Sequence, residues 1–161
     1  MSSARSGKSN RSKQSLRLWL RLLACENLIE QTVRARLRDN YAVTLPQFDV
    51  LSELERAGEA LTMSELSNLL MVSNGKVTGV VDRLERDALV KREASSEDRR
   101  VHYITLTQRG RAAFKKMANA HETWIAELFG DLNLQEISTL NEGLLKARNS
   151  AHKAQTKARA T

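Results

Sequence analysis

Asp98-Arg99-Arg100-Val101-His102-Tyr103-Ile104-Thr105-Leu106-Thr107 is a charged tip running into a short alternating strand. Ile104 and Leu106 fall on one side of that strand, while Glu97-Asp98-Arg99-Arg100 has nothing to bury. This is the pattern of a hairpin projecting from a small core. Leu89–Glu93 supplies the preceding strand, Val101–Leu106 the following one, and Ala94–Arg100 the tip between them. Thr107 then stands where it can cap a long helix.

The segment before the hairpin decides its meaning. Thr62-Met63-Ser64-Glu65 is a capping box that opens a short helix carrying Leu66, Leu69 and Leu70. After Met71-Val72, Ser73 caps a second helix through about Ala88. On a helical wheel Val77, Val80, Val81, Leu84 and Ala88 form one face, the expected core side. The opposite face carries Gly75, Gly79, Asp82 and Arg86, flanked by Lys76, Thr78 and Arg83, and Asp82 is expected to pair with Arg86 one turn on. An exposed glycine costs a helix about 1 kcal/mol relative to alanine. Close approach of this face to another surface, such as a major groove, gives a reason to keep two of them. A short helix, a turn, an amphipathic second helix and a charged hairpin make a helix-turn-helix with a β-wing, an arrangement that reads DNA.

Charge is distributed accordingly. The chain has 161 residues and a net charge of +7. Residues 1–21 hold six bases and no acid, and residues 146–161 hold five bases and no acid, so residues 22–145 carry −4. Within that middle, residues 73–116 hold eleven bases and six acids, a local +5 in an otherwise acidic body. Positive charge confined to the segment with the DNA-reading pattern is the electrostatic footprint of a nucleic-acid site.

A single cysteine, Cys25, excludes an internal disulfide framework and fits a reducing compartment. Leu22-Leu23-Ala24-Cys25 resembles a lipoprotein cleavage site, but Arg17 and Arg21 interrupt the apolar run before it. No stretch is apolar enough for a membrane span, and the expected location is cytoplasmic. Gly7-Lys8-Ser9 is no P-loop, since Ser2 occupies the position of that motif's first glycine. His102, His121 and His152 lack ligand-spaced companions, so neither a metal nor another cofactor is expected. No nucleophile has a base at workable spacing, which argues against an enzyme.

The expected fold is mainly α with a small β-wing: a winged helix-turn-helix domain plus a helical dimerisation module formed by the N- and C-terminal helices. Residues 1–12 read as a disordered basic arm and 13–45 as the N-terminal dimerisation helix. Residues 46–107 are the DNA-binding region, 108–155 the C-terminal dimerisation helices, and 156–161 a disordered tail. Thr44-Leu45-Pro46-Gln47 starts a helix with Phe48, Leu51 and Leu54 inward, and Gly58 stops it. The line Phe114, Met117, His121, Trp124 and Leu128, and the line Ile137, Leu140, Leu144, Ala147 and Ala151, step like helix-packing seams. Leu16, Leu20 and Leu23 lie where apolar residues surround the first helix, so another helix or subunit should cover them.

The order of elements, with Val77-Thr78-x-x-Val81-Asp82-Arg83-Leu84-Glu85, Asp98-Arg99-Arg100 and Ile104-Thr105-Leu106-Thr107, resembles the MarR family of bacterial winged-helix regulators. The resemblance covers about residues 14–150. It implies a homodimer with interlocked terminal helices, each recognition helix reading half of a pseudo-palindromic operator in double-stranded DNA. It also implies that Arg100 occupies the family's minor-groove arginine position, and that a small molecule entering between the dimer helices and the DNA-binding lobe releases a repressor from DNA.

Candidate DNA-binding residues are Ser73, Asn74, Gly75, Lys76, Thr78, Gly79 and Arg83 on the helix, and Asp98, Arg99 and Arg100 at the tip. Asp98 is placed to hold the arginine extended. Arg34, Arg36 and Arg38 are a basic cluster suited to an anionic effector, an aromatic acid or its CoA thioester, with Trp19, His121 and Trp124 as pocket candidates. Arg34 and Arg38 share one face and Arg36 faces elsewhere; a solvated helix end is the bland alternative. Cys25 reads either as a packed structural residue or as a redox-sensing thiol. A constitutive or architectural DNA-binding protein without an effector is a further alternative.

Overall fold

A computed structural model describes residues 3–98 and 100–159, with side chains over 10–98 and 100–158. The element order is α1 (Ser3–Tyr41), α2 (Leu45–Ala57), β1 (Leu61–Thr62), α3 (Met63–Leu69), α4 (Asn74–Arg86), β2 (Val90–Ala94), β3 (His102–Leu106), α5 (Gln108–Leu128) and α6 (Leu134–Arg159). The chain is mainly helical with one small antiparallel sheet of order β1-β3-β2. It divides into two compact units, one up to Trp124 and one from Ile125.

In the first unit, α1 contributes Val33 and Leu37 to the core, α2 contributes Phe48, Val50, Leu51 and Leu54, and α3 contributes Leu66. Val77, Val81 and Leu84 close it from α4, with Val90, Ile104 and Leu106 from the sheet and Met117 from α5. The expected inward stripe of α2 is therefore buried, as are Ile104 and Leu106 of the wing strand. Pro46 lies in the first turn of α2, where its missing N–H costs nothing. The Gln47 side chain returns to the Thr44 backbone N–H at 2.9 Å. Gly58 ends the helix at φ 69°, the left-handed conformation that glycine adopts without penalty.

Several elements depart from the sequence reading. α1 starts at Ser3, well ahead of Lys13, and α6 runs to Arg159, into the stretch expected as a disordered tail. Those ends hold little to bury, and the first includes Gly7 and several serines, but no proline interrupts their backbone bonds. β1 was not anticipated, because two residues carry no periodicity. It exists only through pairing Leu61↔Ile104 and Thr62↔Tyr103. Both hairpin strands begin one residue later than expected, paired from Val90↔Leu106 to Ala94↔His102. Ala88 is exposed rather than core. It stands beyond α4 at φ 55°, where the Leu89 N–H donates to the Leu84 carbonyl and ends the helix. Leu69 is also exposed, because α3 stops there.

The start of α5 is bound to the segment that links α4 to β2. The Thr107 N–H donates to the Leu89 carbonyl at 3.1 Å. Its hydroxyl donates to the Ala88 carbonyl at 2.8 Å and accepts from the Gly110 N–H at 2.9 Å. In the second unit, Asn133 and Glu136 form a reciprocal cap that opens α6, at 3.0 and 2.9 Å.

Candidate nucleic-acid interface

The helix-turn-helix is built by its caps. The Glu65 carboxylate accepts from the Thr62 N–H at 2.7 Å, while the Glu65 N–H donates to the Thr62 hydroxyl at 3.2 Å. The backbone bond from Thr62, followed by the hydroxyl bond, holds the Glu65 carboxyl below the usual range. At the other end of α3, Met71 takes φ 54° and the Val72 N–H donates to the Ser67 carbonyl. This left-handed step turns the chain within a few residues and aims α4 outward.

On α4 the three inward side chains Val77, Val81 and Leu84 are buried and Val80 is half-buried. Asn74, Gly75, Lys76, Thr78, Gly79 and Arg83 are exposed on the other side. Ser73 holds the N-cap position at φ −70°, ψ 149°, but its hydroxyl makes no cap bond. The first N–H groups of α4 are therefore not claimed by that side chain. A Cβ built on Gly75 or Gly79 meets nothing within 4 Å, so the fold of this chain does not itself require glycine there.

The wing is shaped by its own polar groups. The Ser95 N–H donates to the Val101 carbonyl at 2.8 Å and closes the hairpin. Asp98 Oδ1 accepts from the Arg100 backbone N–H at 2.9 Å, so the carboxylate braces the turn through the main chain. Arg100 is exposed. Arg99 lies outside the described residues.

Sequence reading missed the residue that joins wing and helix. Asp82 pairs with Arg92 on β2, and Arg92 Nε lies 3.7 Å from Glu85. Arg86 reaches only the Asp82 backbone carbonyl, at 3.4 Å. Arg92 is half-buried against the sheet, so its guanidinium is presented to α4 at a fixed height. Its inward position, opposite Ile104 in the register, was the available signal.

Of the expected effector residues, the structure unites Arg36 and Trp124, with the guanidinium carbon 5.8 Å from the ring centroid. Tyr41 lies 6.2 Å from Trp124, and Phe48 contacts both His121 at 5.2 Å and Phe114 at 5.5 Å. Burial lowers the His121 pKa, favouring neutral imidazole. Arg34 pairs with Glu30, and Arg38 with Asp39 at 3.2 Å, so these two bases already have carboxylates. Trp19 stands apart, about 25 Å along α1 from Arg36 at the helical rise. Cys25 is exposed, not packed, on a stretch where Leu16, Leu20 and Leu23 are also exposed at 58%, 53% and 40%. On α6, Ile137 is half-buried while Leu140 and Leu144 are exposed. Among the described residues no helix is long and apolar enough to cross a membrane, and no group of three or more His, Cys, Asp and Glu could hold a metal.

Comparison with known proteins agrees with this architecture. A model of the MarR family matches residues 43–102. The transcriptional activatory protein BadR of Rhodopseudomonas palustris is 30% identical over 133 residues, covering 81% of this chain and 75% of BadR. The crystal structure of a MarR family transcriptional regulator from Silicibacter pomeroyi is 31% identical, with TM-score 0.75, over 88% of this chain and 97% of that one. A cysteine-to-serine mutant of MarR from E. coli, complexed with operator DNA, is 25% identical with TM-score 0.72, over 83% and 95% of the two chains.

Proposed function

This chain belongs to the MarR family of transcriptional regulators, and we propose that within it the protein is a homodimeric repressor that leaves its operator when a small anionic effector binds. The observation that carries the DNA-binding part is the exposed face of α4: two unobstructed glycines, Asn74, Lys76, Thr78 and Arg83 over a buried valine–leucine stripe. Ser73 and the first turn of α4 approach phosphate, the rest of the face enters the major groove, and Arg100, carried on the Asp98 turn, reaches the minor groove. Arg99, adjacent in sequence, is assigned to the same contact. Similarity to a MarR chain complexed with operator DNA supports DNA binding, and a homodimer would read a pseudo-palindromic site with two copies of α4.

Dimerisation uses the exposed Leu16, Leu20 and Leu23 of α1 together with Ile137, Leu140 and Leu144 of α6. Contiguous exposed leucines at helical spacing are costly in water and are stabilised by covering. The effector is an aromatic acid or its CoA thioester. Arg36 stacked on Trp124, beside Tyr41, His121 and Phe48, supplies a cation and aromatic surface at one place in the fold. Arg34 and Arg38 face away from Arg36 on the same helix and would offer the ligand a second cationic contact by giving up Glu30 and Asp39. Trp19, about 25 Å away along α1, does not join this site within one chain. Binding there changes the separation of the two recognition helices, to which half-sites one turn apart are sensitive.

BadR, named as an activatory protein, favours one second reading, activation in place of repression. Fluorescence anisotropy on DNA from the gene's own upstream region, at fixed salt, tests the main proposal. A panel of aromatic acids and acyl-CoA thioesters is added to the formed complex. Release by one compound, blunted in Arg34→Ala/Arg38→Ala and in Arg36→Ala with DNA affinity retained, is the expected result. Response unchanged in all these variants refutes the effector site. Transcription from the same promoter in vitro separates repression from activation.

A further inference from the structure

A cavity of about 400 Å³ lies between α2 and α4, directly behind the DNA-reading helix. Its walls are apolar: Val50 from α2, Leu70 and Val72 from the turn, Val77 and Val80 from α4. Its volume falls within the range of small-molecule sites. Two charged side chains also line it, Asp49 and Lys76. Asp49 makes no hydrogen bond or ion pair among the described residues, and Lys76 stands more than 4 Å from a salt bridge with it.

The groups around Asp49 are mostly acids. Glu30 of α1 and Glu53 on the next turn of α2 both repel its charge. The bases nearest those acids are committed to them, Arg34 to Glu30 and Arg56 to Glu53. Burial first, then Glu30 and Glu53, push the Asp49 carboxyl up to about 6. Above that value the site holds a carboxylate at the edge of an apolar chamber, with Lys76 on the same lining but not ion-paired to it. Such a group rewards a positively charged partner and rejects an anion.

We propose that the α2–α4 cavity binds a small amphiphilic amine, its ammonium on the Asp49 carboxylate and its hydrocarbon between Val50, Leu70, Val77 and Val80. This goes beyond the anionic effector reading and uses different residues, so either stands if the other fails. An amine seated there touches α4 from its buried side, beside Lys76, which is itself assigned to DNA.

The test is a titration of the full-length protein with 2-phenylethylammonium chloride, followed by the amide signals of residues 70–80 in NMR. The neutral 2-phenylethanol and the anionic phenylacetate are titrated in parallel. Saturable shifts for the ammonium compound are expected, weakened about tenfold or more for the alcohol and in Asp49→Asn and Asp49→Ser, the size of one charge-assisted contact. Affinity for the ammonium compound should also fall between about pH 8 and about pH 5, where Asp49 gains its proton and the amine keeps its own. Equal binding of the alcohol, or undiminished binding by folded Asp49 variants, would show a neutral hydrocarbon pocket and overturn the proposal. Absence of saturable shifts in the wild-type protein overturns it as well.

Discussion

Replacing Gly79 with alanine, alone and with Gly75→Ala, should stabilise the protein and weaken its grip on DNA. In the free chain a Cβ at either position meets nothing within 4 Å, so the methyl group strains nothing. Gly79 lies inside α4, where alanine is favoured by about 1 kcal/mol; Gly75, in the first turn, should return less. For a chain of this size that is a rise in melting temperature of about 2–4 °C. On DNA the sign reverses if this face lies against the groove. A methyl inserted into a close-packed contact costs about 1–3 kcal/mol, a loss of operator affinity from about fivefold to more than a hundredfold. Thermal unfolding reads the first effect and anisotropy at fixed salt reads the second, on the same preparation. Stability raised with operator affinity within about twofold of wild type would refute the reasoning, since the glycines would then serve no close approach.

Gly110 is the opposite case: its Cβ would lie 1.8 Å from the Leu89 carbonyl oxygen and 2.8 Å from its carbon, both backbone atoms. Gly110→Ala must push α5 away from the Thr107–Leu89 bonds and should cost about 3 kcal/mol in urea unfolding; a loss below about 0.5 kcal/mol would show that α5 slides freely. Asp49→Asn should stabilise the fold at neutral pH. The native carboxyl protonates near 6 against an ordinary 3.8, so ionised Asp49 opposes folding. That penalty is absent below the unfolded value, grows through the window and is complete above 6, which gives a gain of about 1–2 kcal/mol at neutral pH after allowing for partial exposure, and none in acid. A gain independent of pH would contradict it. Arg100→Ala should weaken operator binding by more than about 1 kcal/mol with elution in size-exclusion chromatography unchanged, whereas unchanged affinity removes the wing from the mechanism.

Arg92 shows why some of the interface could not be read in advance. The spacing of Asp82 and Arg86 on one helix invites an ion pair, and local sequence contains nothing against it. The winning partner comes from the next element and becomes available only when the hairpin packs under α4. The same holds for Arg36 and Trp124, which are separated by most of the chain and meet where α1 crosses α5. Arg34 and Arg38, singled out with Arg36 for proximity alone, instead find acids on their own helix.

The sequence by itself determined what depends on short-range chemistry. Thr62 with Glu65, Thr44 with Gln47, and Thr107 mark helix starts because a cap needs only neighbouring residues. The valine–leucine stripe of α4 and the alternation of Ile104 and Leu106 gave the inward faces through periodicity alone. Only the tertiary structure decided β1, a strand of two residues created by its neighbour β3, and the burial of Asp49 beside Glu30 and Glu53 at the edge of the α2–α4 cavity. It also decided the role of Gly110, whose need for no side chain comes from a carbonyl twenty-one positions earlier in the chain. These features arise where distant segments are brought within a few ångströms, and neither propensity nor spacing along one element records that distance.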